Sequence, residues 1–300
     1  MKKQLLSLLL LLFAFITTQA APLQKLTVIL DWFPNPDHAP LLIAQEHGFF
    51  KAQGLNVELI GPADPTDPPK LVAADKADIA ITYQPQFMQQ VDQGLPLARF
   101  GTLIGSPLDC LITLQSSMIH SLKELKGKRI GTSTGGLGNV MLKAMLQKHG
   151  VKLEEVELIN ARYNLTQALL AGKVDAITGI MRNVEIPQIE LTGHAVRVFY
   201  PEYYGIPTYS ELIFITHTQH RHDPRLAAFL LAIKQSVVYL KSHRQETWQE
   251  YAKQYPESNN ELNHKVWLAT IPYFVNDPAA FNQKEWMDFA RFMQQNGLIK

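Results

Sequence analysis

Within eight residues, Asp31-Trp32-Phe33-Pro34-Asn35-Pro36-Asp37-His38, the chain gathers two carboxylates, an amide, an imidazole and an indole. These groups supply hydrogen-bond acceptors, a mixed donor–acceptor amide and a flat apolar face. Trp32 alone would read as a core aromatic, but its neighbours are too polar for a core. Trp32, Asn35 and His38 are therefore candidate ligand contacts. His38 either reaches a ligand or caps the helix beginning at Ala39, and the sequence leaves both open. A second candidate, Thr132-Ser133-Thr134-Gly135-Gly136-Leu137-Gly138-Asn139, is a small-residue loop ahead of a helical pattern. Such a loop exposes free N–H groups at the positive end of a helix dipole, so Ser133, Thr134, Gly135 and Gly136 either hold a polar group or make a tight turn. It lacks the Gly-Lys-Ser/Thr ending of a phosphate-binding Walker loop. A third is Asn183 with Glu185, two residues apart after a strand, a pair that otherwise reads as a solvated loop with Arg182 and Glu185 exposed. Tyr83-Gln84 sits at another strand end. Of Tyr203, Tyr204 and Tyr209, Tyr204 is carried as the candidate, although packing is the commoner role of such residues.

Other residues suggest chemistry less well. His217, His220 and His222 have a spacing that could ligate a metal, but Arg221 would repel the cation and the loop leads to a helix cap. No metal site is expected there, and no cofactor motif is present. The single cysteine, Cys110, permits no internal disulfide and opens an apolar run, as a buried small hydrophobe does. No Gly-x-Ser-x-Gly elbow, His-Glu-x-x-His or paired-carboxylate signature points to an enzyme. A net charge of +1 without basic runs excludes a nucleic-acid footprint.

The elements that must position these residues alternate. Strand-like runs occur at 26–30, 56–60, 79–82, 98–104, 111–114, 129–132, 156–159, 176–178, 197–199 and 211–216, with helical periods between most of them. That alternation predicts α/β architecture with mainly parallel sheets and helices on both faces. Pro40 fits the first turn of a helix that stops at Gly48. Ser121-Leu-Lys-Glu124 fits a capping box. Asp223-Pro224 fits an N-cap and first turn ahead of a long helix, with another helix around Trp286 to Met293. The polar cluster at 31–38 then lies at the carboxyl end of the first strand, where open α/β sheets bind ligands.

The amino terminus has the layout of a secretory signal: basic Met1-Lys2-Lys3, apolar Leu5 to Ile16, and small residues in Thr18-Gln19-Ala20. Cleavage after Ala20 is expected, giving a soluble periplasmic protein. The apolar run is too short to span a bilayer as a stable helix.

Asp31-Trp32-Phe33-Pro34-Asn35, followed by Gly48-Phe49-Phe50-Lys51 and Gly54-Leu55-Asn56-Val57, resembles the front of the periplasmic solute-binding proteins of the thiamine-pyrimidine-precursor family. Leu125-Lys-Gly-Lys-Arg-Ile-Gly131 likewise resembles the start of a second lobe in many binding proteins. The resemblance implies a two-lobed periplasmic binding protein fold of type II with the ligand cleft between lobes. It implies residues 21–108 as the first part of lobe 1, 109–213 as lobe 2, and 214–300 as the return to lobe 1. It further implies a monomer that binds an aminopyrimidine and delivers it to the inner-membrane permease of an ABC transporter. Asn183 and Glu185 would then meet the ring's amino group and nitrogen. A sulfonate, nitrate or other small anion is the alternative ligand. Fungal relatives make the thiamine pyrimidine with a cysteine-rich motif and a reactive Lys and His. A single Cys and an export signal argue against that chemistry here, so the chain is not expected to be an enzyme.

Overall fold

The computed structural model describes residues 22–133 and 140–300. Two five-stranded sheets carry the fold. The first has the order β2 (Leu55–Ile60), β1 (Gln24–Ile29), β3 (Ile79–Thr82), β10 (Leu212–His217), β4 (Leu97–Ile104). The second has the order β7 (Glu157–Asn160), β6 (Arg129–Thr132), β8 (Ala176–Met181), β5 (Asp109–Leu114), β9 (Val196–Phe199). In the first sheet only β10 runs against its neighbours, and in the second only β5 does, so four strands of each point one way. Each of the ten strands found falls where the sequence places it, with ends that differ by up to three residues.

Burial follows position in the sheet. β3 and β10 are buried along their whole length, as strands covered on both faces must be. β2, at an edge, alternates buried Leu55 and Val57 with exposed Asn56 and Glu58. One face of the first sheet packs under α1 (Ala39–Glu46) and the long α8 (Pro224–Ser242). Asp223 caps α8 by accepting the N–H of Arg225 at 2.8 Å. The helix around Trp286 is α11 (Gln283–Gln295). The capping box at Ser121 is present, with Glu124 accepting the Ser121 N–H at 2.9 Å, but it opens a single 3-10 turn.

The two sheets share a local device. Asp78, just before β3, accepts the N–H of Thr27 in β1 at 2.8 Å. Asp175, just before β8, accepts the N–H of Arg129 in β6 at 2.9 Å. Each carboxylate pins the entry of one strand to its parallel neighbour, which fixes where the two strands end. Those ends, at Tyr83 and near Gly179, face each other across a cleft. The chain passes between sheets twice, from Ile104 to Asp109 and from Phe199 to Leu212.

Contacts across the cleft show that it is closed. Asn183 donates to Asp37 at 2.8 Å and to Thr270 at 2.7 Å. The Tyr163 hydroxyl donates to the Pro62 carbonyl at 2.7 Å, and its ring lies 4.5 Å from Trp32 and 4.2 Å from Phe33, centroid to centroid.

Candidate ligand-binding site

The cleft has two adjoining chambers at the carboxyl ends of the parallel strands. The first, about 480 Å³, is lined by Asp31, Trp32, Asn35, Asp37, Val184 and Glu185. The second, about 390 Å³, is lined by Pro85, Gln86, Asp109, Met141, Tyr209 and Glu211. Tyr83, Gly179, Ile180 and Met181 belong to both, so the chambers adjoin.

The turn after β1 is built by its own polar residues. Asn35 accepts the Asp37 N–H at 2.8 Å and donates to the Phe33 carbonyl at 2.9 Å. His38 is fully buried, and its Nδ1 accepts the Asn35 N–H at 3.3 Å. Its Nε2 therefore carries the proton and donates to Asp31 at 2.9 Å. Tyr83 donates to the other Asp31 oxygen at 2.7 Å. Burial opposes ionisation of Asp31, but the hydrogen bonds from His38 and Tyr83 outweigh it and hold the carboxyl below the ordinary range.

The other carboxyls of the cleft go the opposite way. Burial raises Asp37 to about 6 against the lowering effect of its Asn183 hydrogen bond. Burial, with Asp37 and Asp109 nearby, raises Glu185 to about 8 although it accepts the Met181 N–H at 2.8 Å. Burial also raises Asp109 to about 7, and burial with the charge of Asp109 raises Glu211 to about 8. No Lys, Arg or His lines either chamber among the described residues. Arg182 is close, but its guanidinium makes two bonds to Glu202, at 2.5 and 2.9 Å, and stacks 4.5 Å over Tyr200.

β8 reaches the cleft through a bulge. Its pairing with β5 slips between Cys110 and Ile112, and Gly179 adopts φ +71°, where any side chain would be strained. The bulge turns the Gly179 N–H onto Asp109 Oδ1 at 3.0 Å.

Of the residues singled out from sequence, Trp32, Asn35, Tyr83 and Glu185 line the first chamber. His38 lies behind it as the support of Asp31, and its capping bond runs back to Asn35 rather than forward into α1. Asn183 bridges the lobes through Asp37 and Thr270, and its Oδ1 is buried without a partner among the described residues. Gln84 bonds the Ser210 N–H at 2.8 Å and faces a neighbouring cavity beside Arg99. Ser133 is buried behind Gly179, donating to its carbonyl at 3.4 Å. Tyr204 packs against Phe199 and His149, away from the lining residues. Thr134, Gly135 and Gly136 lie outside the described residues. Arg182, read as exposed in the solvated-loop alternative, is instead clamped beside the crossing strands.

Sequence reasoning passed over Asp109, Glu211 and the paired roles of Asp31 and Asp37. The only signal was an isolated carboxylate opening an apolar strand, at Asp109-Cys-Leu-Ile and Glu211-Leu-Ile-Phe. Cys110 is fully buried, and burial with the neighbouring Asp109 holds its thiol well above the ordinary range. His220 pairs with Asp75 at 2.9 Å, and His217 accepts the Gln219 N–H at 3.2 Å.

Two mixed sheets closing on an aromatic, acid-lined cleft define a protein of the periplasmic binding protein fold. The solved alkanesulfonate-binding protein of Xanthomonas axonopodis pv. citri, bound to MOPS, matches with a TM-score of 0.74 at 16% identity, covering 94% of this chain and 96% of that one. Residues 35–247 match the family described as NMT1/THI5 like, and the chain belongs to that family. A Haemophilus influenzae protein named for thiamine biosynthesis is 44% identical over 92% of this chain and 88% of its own length. The formylaminopyrimidine-binding protein of Halalkalibacterium halodurans is 30% identical over 81% of this chain and 74% of its own. The 4-amino-5-hydroxymethyl-2-methylpyrimidine phosphate synthase of Schizosaccharomyces pombe is 25% identical over 92% of this chain and 82% of its own.

Proposed function

We propose that this protein is the substrate-binding component of an ABC importer, that it binds an aminopyrimidine precursor of thiamine, and that it delivers the ligand to an inner-membrane permease by lobe closure. Residues 1–20 serve as its signal peptide, so the intact mass of the exported protein should start at Ala21. Among the described residues no helix is long and apolar enough to cross a membrane.

The observation that carries the reading is Glu185 in a chamber with Trp32 and, among the described residues, no lining cation. With its pKa near 8, Glu185 keeps a proton at neutral pH. A neutral carboxyl offers an O–H donor beside a C=O acceptor. The edge of a 4-aminopyrimidine offers a ring-nitrogen acceptor beside an amino donor, so the two edges match bond for bond. Trp32 supplies a flat face, which an aromatic ring prefers to an aliphatic wall. Contacts from both lobes to one ligand favour the closed state, which is what a permease would recognise.

A sulfonate or nitrate would meet the ionised carboxylates of Asp31 and Asp37 and, among the described residues, no lining cation, an arrangement that repels anions. The synthase reading needs reactive groups in the cleft, whereas the only cysteine is buried and protonated. Calorimetry at low and high salt separates the ligands. A neutral pyrimidine should bind with affinity nearly independent of salt, because little charge is neutralised. Tight sulfonate or nitrate binding that weakens with salt, with no heat from the pyrimidine, would overturn the assignment.

A further inference from the structure

The second chamber is not needed to hold a pyrimidine ring, yet it is built. It adjoins the first and shares Tyr83 and Met181 with it, which puts it within reach of a substituent on a ring held by Trp32 and Glu185. Its two carboxyls have no ion-pair partner among the described residues. Asp109 accepts the Gly179 N–H, while Glu211 accepts the N–H groups of Leu108 at 2.5 Å and Asp109 at 2.8 Å. The nearby cation, Arg182, is engaged by Glu202 and by the carbonyls of Leu108 and Asp109 at 3.2 and 3.0 Å. Tyr209, 3% exposed, lines the same chamber, and its hydroxyl lies beside Glu211 without a well-aligned hydrogen bond among the described residues. A buried hydroxyl without a well-aligned partner is costly, and a ligand donor would satisfy it.

We propose that this chamber is a subsite for a protonated amine carried on a short arm of the ring ligand, with Glu211 and Asp109 as its counter-charges and Tyr209 as a further acceptor. The proposal rests on the pyrimidine reading above and selects among pyrimidines: an aminomethyl substituent is favoured over a hydroxymethyl one. Without ligand, burial and mutual repulsion keep the two carboxyls partly protonated near neutral pH. An arriving ammonium reverses that balance, so protons leave as the amine binds. The groups whose charge bears on the pair are Arg182, Glu185, Tyr83, Tyr209 and Cys110. A purely structural role, bracing the two crossing strands through Leu108 and Asp109, would produce no such ligand preference.

The test titrates the full mature protein at pH 7 with 4-amino-5-aminomethyl-2-methylpyrimidine and with its 5-hydroxymethyl counterpart, in two buffers of different ionisation enthalpy. The amine should bind about tenfold or more tightly, and should release about one more proton per ligand than the alcohol does. Glu211→Gln, which keeps an acceptor for the two backbone N–H groups, should bring the affinity ratio toward unity, as should Tyr209→Phe to a smaller extent. Equal affinities and equal proton counts in the wild type would overturn the proposal, even if no variant folds. So would a Glu211→Gln protein that weakens both ligands alike. If neither pyrimidine binds, the functional reading itself fails; if both bind equally, only the amine subsite does.

Discussion

Glu185 concentrates the chemistry of this cleft into one proton. If its neutral carboxyl is what meets the pyrimidine edge, Glu185→Gln should retain most of the affinity at pH 7, because an amide also pairs a donor with an acceptor. Glu185→Ala should cost about 1–3 kcal/mol, the penalty for leaving a ring donor desolvated and unpaired, or roughly tenfold to a hundredfold in Kd. Wild-type affinity should fall as pH rises through about 8, and the Gln variant should lose that dependence. Equal losses in the two variants at pH 7 would remove the proton from the account. At this scale the sequence singled out residues that combine an unusual type with a strand end, and of these Trp32, Tyr83 and Glu185 line the first chamber. It did not disclose Asp109 and Glu211, because a lone carboxylate before an apolar run reads the same whether it meets solvent or a closed cleft. Only the pairing of β5 with β8, and the return of β10 to the first sheet, brings those two together.

Among the elements, β8 does most to shape the site. Its bulge at Gly179 floors both chambers and presents an N–H to Asp109. Gly179→Ala would place a methyl group 3.6 Å from Ser133 Oγ, which is ordinary contact, but at φ +71°. The cost is therefore conformational, about 1–2 kcal/mol. Urea denaturation should show that loss, and pyrimidine affinity should weaken because the floor of the cleft shifts. Unchanged stability and affinity would mean the bulge is incidental. The strands themselves were legible because apolar runs bounded by Gly, Pro and Asp recur along the chain. Their directions were not: nothing in Leu111–Leu114 or Leu212–His217 says that β5 and β10 run against their neighbours. The candidate loop at 134–136 stays outside the described residues, and its role rests on ligand measurements.

For the molecule as a whole, four cleft carboxyls have folded-state pKa values raised above the ordinary range: Asp37 to about 6, Asp109 to about 7, and Glu185 and Glu211 to about 8. The folded state therefore binds more protons than the unfolded chain between about pH 4 and 8. Their contribution to stability is fully present below the ordinary carboxyl pKa and is lost as pH rises through 6 to 8. Asp31, held low, acts in the opposite sense and weakens the fold only in acid. The ligand-free protein should melt at a higher temperature at pH 5 than at pH 8.5. A flat or rising profile would show that these carboxyls ionise freely in an open cleft. The two-lobed arrangement was legible from the resemblance of the first strand and helix, whereas the closed, acid-rich character of the cleft emerged only from tertiary contacts. The central claim, that the cleft takes an aminopyrimidine, is tested most directly by denaturing protein purified from its native host and recording a mass spectrum of the small molecules released. A near-stoichiometric aminopyrimidine is the expected result. A sulfonate, nitrate or other anion in that position, with no pyrimidine present, would contradict it.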